Sequence, residues 1–409
     1  MSTETSFSYT SRDARDRVVK GRMNAASERA ALLQLRTMGL SPISIAPARK
    51  LTGLHADLSI PGLQRHIGLT DLAVMSRQMA TMTAAGLSLL RTLSILSDQT
   101  ENKQLAQVLA GIRSDVETGV SLSSAFDKHD VVFPPIMINL VRAGEAGGFL
   151  EDALNSIADN FESEMKLRDT IKSALAYPVI VLVMALLAVV GMLIFIVPVF
   201  EKMFQGLGGE LPAATKVLVV LSNGMIWVGP MLLIAVIVFS VWWRKNKHTL
   251  AVRRVVDPFK LKLPVFGLLL TKLAIARFSR NFATMIGAGV PILHSLKIVG
   301  ETSGNWVIES ALAKVQESVS QGRSIAAPLA LEPVFPAMVT QMIAVGEDSG
   351  ALEQMLTKIA DFYDQEVQST TEQLTALIEP LMIAVIGVII GGMVVALYLP
   401  MFSVFDYVK

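Results

Sequence analysis

Three stretches of the chain, 178–200, 217–243 and 381–405, contain no Asp, Glu, Lys, Arg or His. The hydrocarbon core of a bilayer is about 30 Å thick and is crossed by about 20 helical residues. All three stretches reach that length, and Pro400 marks the expected end of the third. In lipid every backbone N–H and C=O must be satisfied within the chain, so such stretches are restricted to helices. The chain is 52% hydrophobic with a mean hydropathy of +0.51. That excess is concentrated in the three stretches, and the rest is polar enough for a soluble fold.

Charge placement orients the spans. Arg244, Lys245, Lys247, Arg253, Arg254, Lys260 and Lys262 follow the second stretch against a single acid, Asp257, and Lys166, Arg168 and Lys172 precede the first. Between stretches one and two, Lys202 and Lys216 are balanced by Glu201 and Glu210. The positive-inside rule therefore places the N-terminus and residues 244–378 in the cytoplasm, with 201–216 and the tail 401–409 outside. The first residues are polar and charged with no apolar run behind them, so no signal peptide is expected. The net charge of +1 favours no nucleic acid, and the absence of cysteine removes disulfides, thiolate metal sites and cysteine nucleophiles.

The chain repeats itself. "SRQMATMTAAGLSLL" at 76–90 and "SRNFATMIGAGVPIL" at 279–293 agree at eight of fifteen positions, with an offset of 203. Downstream the offset is 202: Phe133-Pro134 matches Phe335-Pro336, Gly144-Glu145 matches Gly346-Glu347, and Pro178 and Pro198 match Pro380 and Pro400. The unit is a whole domain plus its membrane helix, far longer than a solenoid repeat. The first and third spans run the same way, and the second only returns the chain.

The expected fold is mainly α. Leu72, Met75, Met79 and Met82 form a helical stripe, with Thr70 or Asp71 as a cap and Ser88 capping the next helix. Pro134 and Pro135 suit a first helical turn. Residues 69–176 and 271–378 read as two homologous cytoplasmic six-helix bundles, each leading into a span (177–200 and 379–400). Span two is 217–243, 201–216 is a short external loop, and 244–270 is a basic linker. Residues 1–47 read as a small ββαβ module, and 48–68 as a linker.

Chemistry is scarce. No GxxxxGK[ST] occurs, Gly287–Gly289 lacks the third glycine of a dinucleotide site, no GxSxG appears, and no two of the five histidines stand three or four apart. No catalytic, cofactor or metal residues are expected, and the chain is not read as an enzyme. The spans lack the buried ionisable groups that pumps need; Glu379 sits at the entrance of span three. The features that remain are paired. Gly144, Glu145 and Gly148 in "LVRAGEAGGFLEDAL" recur as Gly346, Glu347 and Gly350 in "IAVGEDSGALEQML". One reading is a helix–helix turn in which Gly144 and Gly346 are C-caps, Ser349 caps the next helix, and the glutamates lie near that helix's positive end. The other is a cytoplasmic docking or cation-binding spot. Pro178 and Pro380, where a cytoplasmic helix enters the membrane, are hinges or mere helix boundaries. Gly387, Gly391, Gly392 and Ala396 form small-xxx-small pairs. They serve packing within the chain, an oligomer interface, or a partner's membrane helix.

The segments "FSYTSRDARDRVVKGRMNAASERAALLQLRTMGLSPISI", "SRQMATMTAAGLSLL", "FPPIMINLVRAGEAGGFLEDAL", "YPVIVLVMALLAVVGMLIFIVPVFEKMF" and "EPLMIAVIGVIIGGMVVALYLPMF" resemble the GspF/PilC family across nearly the whole chain. "VGEDSGALEQMLTKIADFYDQEV" and "ALYLPMFSVFDYVK" are more similar to its type IV pilus branch than to its type II secretion branch. The resemblance implies a multi-pass inner-membrane platform on which pilin or pseudopilin subunits are added or removed. It also implies a separate cytoplasmic hexameric assembly ATPase, with a retraction ATPase possible, other inner-membrane assembly components, and self-association as a homo-oligomer. The alternatives are the secretion platform and, from another class, a pseudo-symmetric transporter built on the parallel repeat.

Overall fold

The computed structural model describes residues 5–12, 18–25, 30, 41–47, 66–206, 212–247, 249–264 and 266–407. The chain divides into two units, Met1–Arg65 and His66–Lys409. In the first, β1 (Thr5–Arg12), β2 (Val18–Ala25) and β3 (Ser41–Pro47) form an antiparallel sheet ordered β2-β1-β3. Thr5 pairs with Ala25 and Arg12 with Val18, while Phe7 pairs with Pro47 across the other edge. Ala30 is helical; the remainder of the helix expected between β2 and β3, and the linker 48–65, lie outside the described residues.

The second unit is helical. Six helices come first: α1 (Leu69–Ala84), α2 (Leu89–Gln99), α3 (Lys103–Glu117), α4 (Leu122–Asp127), α5 (Pro135–Gly147) and α6 (Leu150–Gly191). A π-helical turn, Met192–Ile196, leads into α7 (Val197–Gly206), and α8 (Ala213–Asn246) returns the chain. Then come α9 (Leu250–Lys262), α10 (Phe266–Gly287), α11 (Ile292–Thr302), α12 (Trp306–Ser320), α13 (Ala326–Ala330), α14 (Ala337–Ser349) and α15 (Leu352–Tyr407). From α10 the second series repeats the first.

Local chemistry sets the helix starts. Gly68 rather than Thr70 or Asp71 is the N-cap of α1, and Asp71 Oδ2 accepts from the Gly68 N–H at 2.9 Å, so the acid acts from inside the first turn. Ser88 occupies the N-cap of α2 with extended backbone but makes no side-chain cap bond. Pro134 and Pro135 fill the N-cap and first turn of α5, where the missing N–H costs nothing.

Apolar periodicity then builds the core. Leu72, Met75 and Met79 are buried, with Met82 packed against them. At the equivalents of Met75 and Met79 the second repeat carries Phe278 and Phe282, also fully buried. Phe278 meets Phe335 edge-on at 5.3 Å, and Phe126 meets Phe133 at 4.5 Å. The two repeats thus use the same positions with different volumes.

The first and third spans are not separate helices. α6 runs 42 residues and α15 runs 56, each continuous from bundle to apolar stretch. Among the described residues three helices are long and apolar enough to cross a membrane, over Leu150–Phe204, Trp227–Asn246 and Leu352–Pro400. Two further differences follow from helix continuity. Residues 201–206 and 213–216, expected as loop, are helical, and the expected linker 244–270 contains all of α9 and the start of α10. Pro178 and Pro380 sit inside helices, so the boundary reading does not hold. Each leaves one carbonyl, that of Ala174 or Ala376, without its i+4 donor.

Below the apolar stretches, α6, α10 and α15 converge on Leu167, Leu269, Val367 and Leu374. At the opposite end the spans meet through Leu193, Val197, Leu218, Met393, Ala396 and Leu397. Two buried hydroxyls there are satisfied within the chain. Thr215 Oγ1 donates to the Ala396 carbonyl at 2.5 Å, and Ser222 Oγ donates to the Leu193 carbonyl within the π turn, where the widened ladder frees an acceptor.

Candidate functional site

The paired glutamates act through the helix before them. Glu145 lies in the last two turns of α5. Its Oε1 accepts from the Leu122 N–H at 2.5 Å, and its Oε2 accepts from the Ser123 N–H at 3.0 Å and from Ser123 Oγ. The Ser124 N–H bonds Ser121 Oγ at 3.3 Å. In the second repeat both Glu347 oxygens accept from the Ile325 N–H at 2.9 Å and Oε2 accepts from Ala326 at 3.3 Å, while the Ala327 N–H bonds Ser324 Oγ at 3.2 Å. A six-residue helix such as α4 is too short to hold itself. Here its free N–H groups are met by a carboxylate and a serine, and the helix dipole favours that negative charge. The expectation that these glutamates serve the following helix is corrected: they staple α5 to α4 and α14 to α13.

The glycines change roles too. Gly148 and Gly350 are the left-handed C-caps, with φ of 78° and 70°. Gly144 and Gly346 are buried inside their helices instead. A Cβ on Gly144 would lie 2.7 Å from Ala153 Cβ, and one on Gly346 would lie 3.0 Å from Leu352 Cα. They are the points where α5 crosses α6 and α14 crosses α15. Ser349 does not cap α15 either; its Oγ donates back to the Val345 carbonyl at 2.6 Å. The surface of each turn is its tip, Ala146–Gly148 and Asp348–Gly350.

Removing either glutamate strands two helix N–H groups. Glu145→Ala and Glu347→Ala should each cost about 1–3 kcal/mol, the range for a lost cap and for hydrogen bonds to a charged group. Thermal unfolding of the purified full chain checks this, and an unchanged midpoint would return the glutamates to the docking reading alone.

A second duplicated feature lies alongside. Arg77 on α1 clasps Glu162 on α6 through both oxygens, at 2.6 and 2.7 Å, and also pairs with Asp159. At the equivalent positions Arg280 on α10 pairs with Asp364 and, at 3.8 Å, with Asp361 on α15. Burial differs between the copies. The hydrogen-bonded Arg77 guanidinium holds the Glu162 carboxyl below its ordinary range. Burial pushes the Asp364 carboxyl up, against the pull of Arg280. Asp364 Oδ1 is buried without a hydrogen-bond partner.

Arg280 is also where the two repeats face each other. It lies between a cleft of about 250 Å³, whose walls include Asp159, Asn160 and Glu353, and one of about 360 Å³, whose walls include Lys166, Asp361 and Asp364. Three polar contacts cross the seam. Arg277 Nε donates to Glu164 Oε2 at 2.8 Å, Asn160 Nδ2 donates to Asn281 Oδ1 at 2.9 Å, and His294 Nε2 lies 3.0 Å from Asn139 Oδ1. The counterpart of Arg277 in the first repeat is Val74, 50% exposed. The seam is therefore what the duplication does not share. Among the described residues no three His, Asp or Glu side chains converge on a metal-sized site.

In span three, a Cβ on Gly387, Gly391 or Gly392 would meet nothing within 4 Å. Packing within the chain does not account for these three, whereas Ala396 is buried among the other spans.

Comparison with known proteins decides the family. The profile described as "Type II secretion system (T2SS), protein F" matches residues 75–198 and again 278–400, and that of the family's N-terminal domain matches 4–46. The chain belongs to the type II secretion system protein F family. Its curated relatives include the type IV pilus assembly protein PilC of Thermus thermophilus, 44% identical over 97% of this chain and 98% of that one. The PilC protein of Myxococcus xanthus is 40% identical over 94% and 91%. The type II secretion system protein F of Xanthomonas campestris is 32% identical over 97% and 98%.

Each protein F repeat ends at a proline, Pro198 or Pro400, so the family's unit is bundle and span together. Twofold recurrence picked out the glutamates and their glycines. It could not pick out Arg277 or Asn281, whose counterparts are Val74 and Gln78, and although Glu164 recurs as Glu366, a lone acid on a helix reads as a solvated face.

Proposed function

We propose that this chain is the inner-membrane platform of a type IV pilus machine. It couples a cytoplasmic hexameric assembly ATPase, and a retraction ATPase where one is present, to insertion and extraction of pilin subunits. The observation that carries this reading is the identity gradient at full length: 44% and 40% to two PilC proteins against 32% to a secretion protein F. The secretion reading, with pseudopilin as the subunit, draws support from the profile's own description. In either case the work comes from another chain.

In this proposal the bundles of residues 69–176 and 271–378 form six-helix cytoplasmic domains, as positive charge at the span ends suggests. The N-terminus is cytoplasmic, and the tail is outside. The turn tips at Gly148 and Gly350 are docking points for the ATPase. The open glycine face of span three receives a pilin helix or a second copy of this chain; small residues let helices approach closely in lipid.

Continuous helices give the coupling a route. A push on either bundle reaches the membrane along α6 or α15, and Pro178 and Pro380 are the weak points in those rods. Capture of the assembly ATPase by the full chain in bilayer nanodiscs tests the platform reading, and no capture by intact protein would count against it. The double variant Pro178→Ala/Pro380→Ala should slow fibre extension by stiffening both rods. Unchanged extension rates would remove the hinge.

A further inference from the structure

The segment after span two carries an apolar surface that the platform reading does not use. α9 has two distinct faces. On one, Asp257 is buried; its Oδ2 accepts from the Trp306 N–H at 3.0 Å and its Oδ1 accepts from Lys260 Nζ at 3.1 Å. Arg253 pairs with Glu309 at 2.7 Å, and the Arg254 guanidinium lies 5.4 Å from the centre of the Trp306 ring. These contacts fix α9 to the N-terminal turn of α12 and fix its rotation.

The other face is thereby turned outward. Ala251, Val255 and Phe259 stand four residues apart, a single stripe on a helix. Val255 is 70% exposed and Phe259 65%. Large apolar side chains in a stripe on an amphipathic helix mark an interaction surface rather than scattered exposure.

Position and charge name the partner. Span two ends in Trp242, Trp243, Arg244 and Lys245, the aromatic and basic residues of a membrane interface. Leu250 follows Asn246 by four residues, so α9 begins within about 14 Å of the span's end at full chain extension. Asp257 is the only acid between 244 and 263, and it is buried and paired. Arg244, Lys245, Lys247 and Lys262 leave the outer surface positive.

We propose that α9 lies in the bilayer interface, with Val255 and Phe259 in the acyl boundary and the flanking cations on anionic phospholipid headgroups. Amphipathic helices of this kind bury their apolar face about 5–10 Å into the headgroup and acyl boundary. The second bundle is then tied to the membrane surface through Asp257 and α12, in addition to the span on α15. This inference rests on span two crossing the membrane and not on the pilus reading.

The chain has no cysteine, so a single introduced thiol is labelled uniquely. The full chain carrying Phe259→Cys, labelled with an environment-sensitive fluorophore, is placed in nanodiscs of zwitterionic or mixed anionic phospholipid. Val131→Cys, in the α4–α5 turn and 90% exposed, is the aqueous reference. The expected result at 259 is blue-shifted emission, quenching by lipid spin-labelled near the headgroup, and loss of iodide quenching. The effect should be stronger with anionic lipid and reduced by Lys247→Gln/Lys262→Gln. Iodide quenching at 259 equal to that at 131 would overturn the proposal. So would protection from iodide without lipid quenching, because a second copy of the chain would then be the cover.

Discussion

Replacing Gly144 or Gly346 with valine will unfold the bundle that carries it. At both sites a helix crosses its successor with no room for a side chain: the added Cβ would stand 2.7 Å from Ala153 Cβ, or 3.0 Å from Leu352 Cα. Backbone cannot retreat the way a long side chain does, and valine adds two methyl groups beyond the Cβ. Overpacking of this kind costs about 1–3 kcal/mol at ordinary core sites and more where nothing can yield. About 3 kcal/mol or more is a large fraction of a domain's stability. The expected outcome is a marked fall in the unfolding midpoint and in membrane accumulation of the full chain. Gly391→Ala is the matched control: its Cβ meets nothing, and alanine favours helix. Unchanged stability of the two valine variants would show that the helix crossings are looser than described.

Arg280→Ala should be more damaging than Arg77→Ala at the equivalent position, and it should be rescued by neutralising its carboxylate partner where Arg77→Ala is not. Arg280 and Asp364 are partly buried, at 22% and 30% side-chain exposure. Removing the cation leaves Asp364 and Asp361 facing one another with Glu164 nearby, a loss of about 2–3 kcal/mol near neutral pH. Asp364 is already pushed up by burial, and Arg280 is the group that lowers it. Ionising a carboxyl whose folded pKa is raised weakens the fold as pH climbs through that value. The Arg280→Ala defect should therefore grow from acid toward neutral pH and shrink on acidification. Glu162 is held low, so its contribution is present above the ordinary carboxylate range and is lost as pH falls through its folded value. Arg77→Ala removes that contribution, so its defect should likewise fade in acid but remain small, because both partners are exposed. The contrast lies in the second arm. Asp364→Asn should flatten the acid-side pH dependence and stabilise Arg280→Ala, whereas Glu162→Gln should do nothing for Arg77→Ala. Equal behaviour of the two copies would mean that the seam does not bury Asp364.

Much of the architecture was legible because its causes are local or repeated. Charge-free stretches of bilayer length allow only helices, and a match of eight residues in fifteen exposes the duplication. The Met stripe and the Pro134-Pro135 start are rules of one helical turn. The glutamate role was not legible for the opposite reason. The N–H groups that Glu145 satisfies lie 23 and 22 positions upstream, and nothing in "GEAGG" points there. Its recurrence marked importance without naming the partner. Gly144 was misassigned because a glycine near a helix end suits a C-cap, and only the packed structure separates Gly148, with its positive φ, from Gly144, which makes room for Ala153. The seam contacts Arg277–Glu164 and Asn160–Asn281 join residues 113 and 121 positions apart. Tertiary pairing at that range leaves no periodic trace.

Deletion of the gene, with complementation by the full chain, tests the platform reading most directly. The account predicts loss of surface fibres while mature pilin remains in the cytoplasmic membrane and type II secretion continues. Normal fibres in the deletion strain would contradict it.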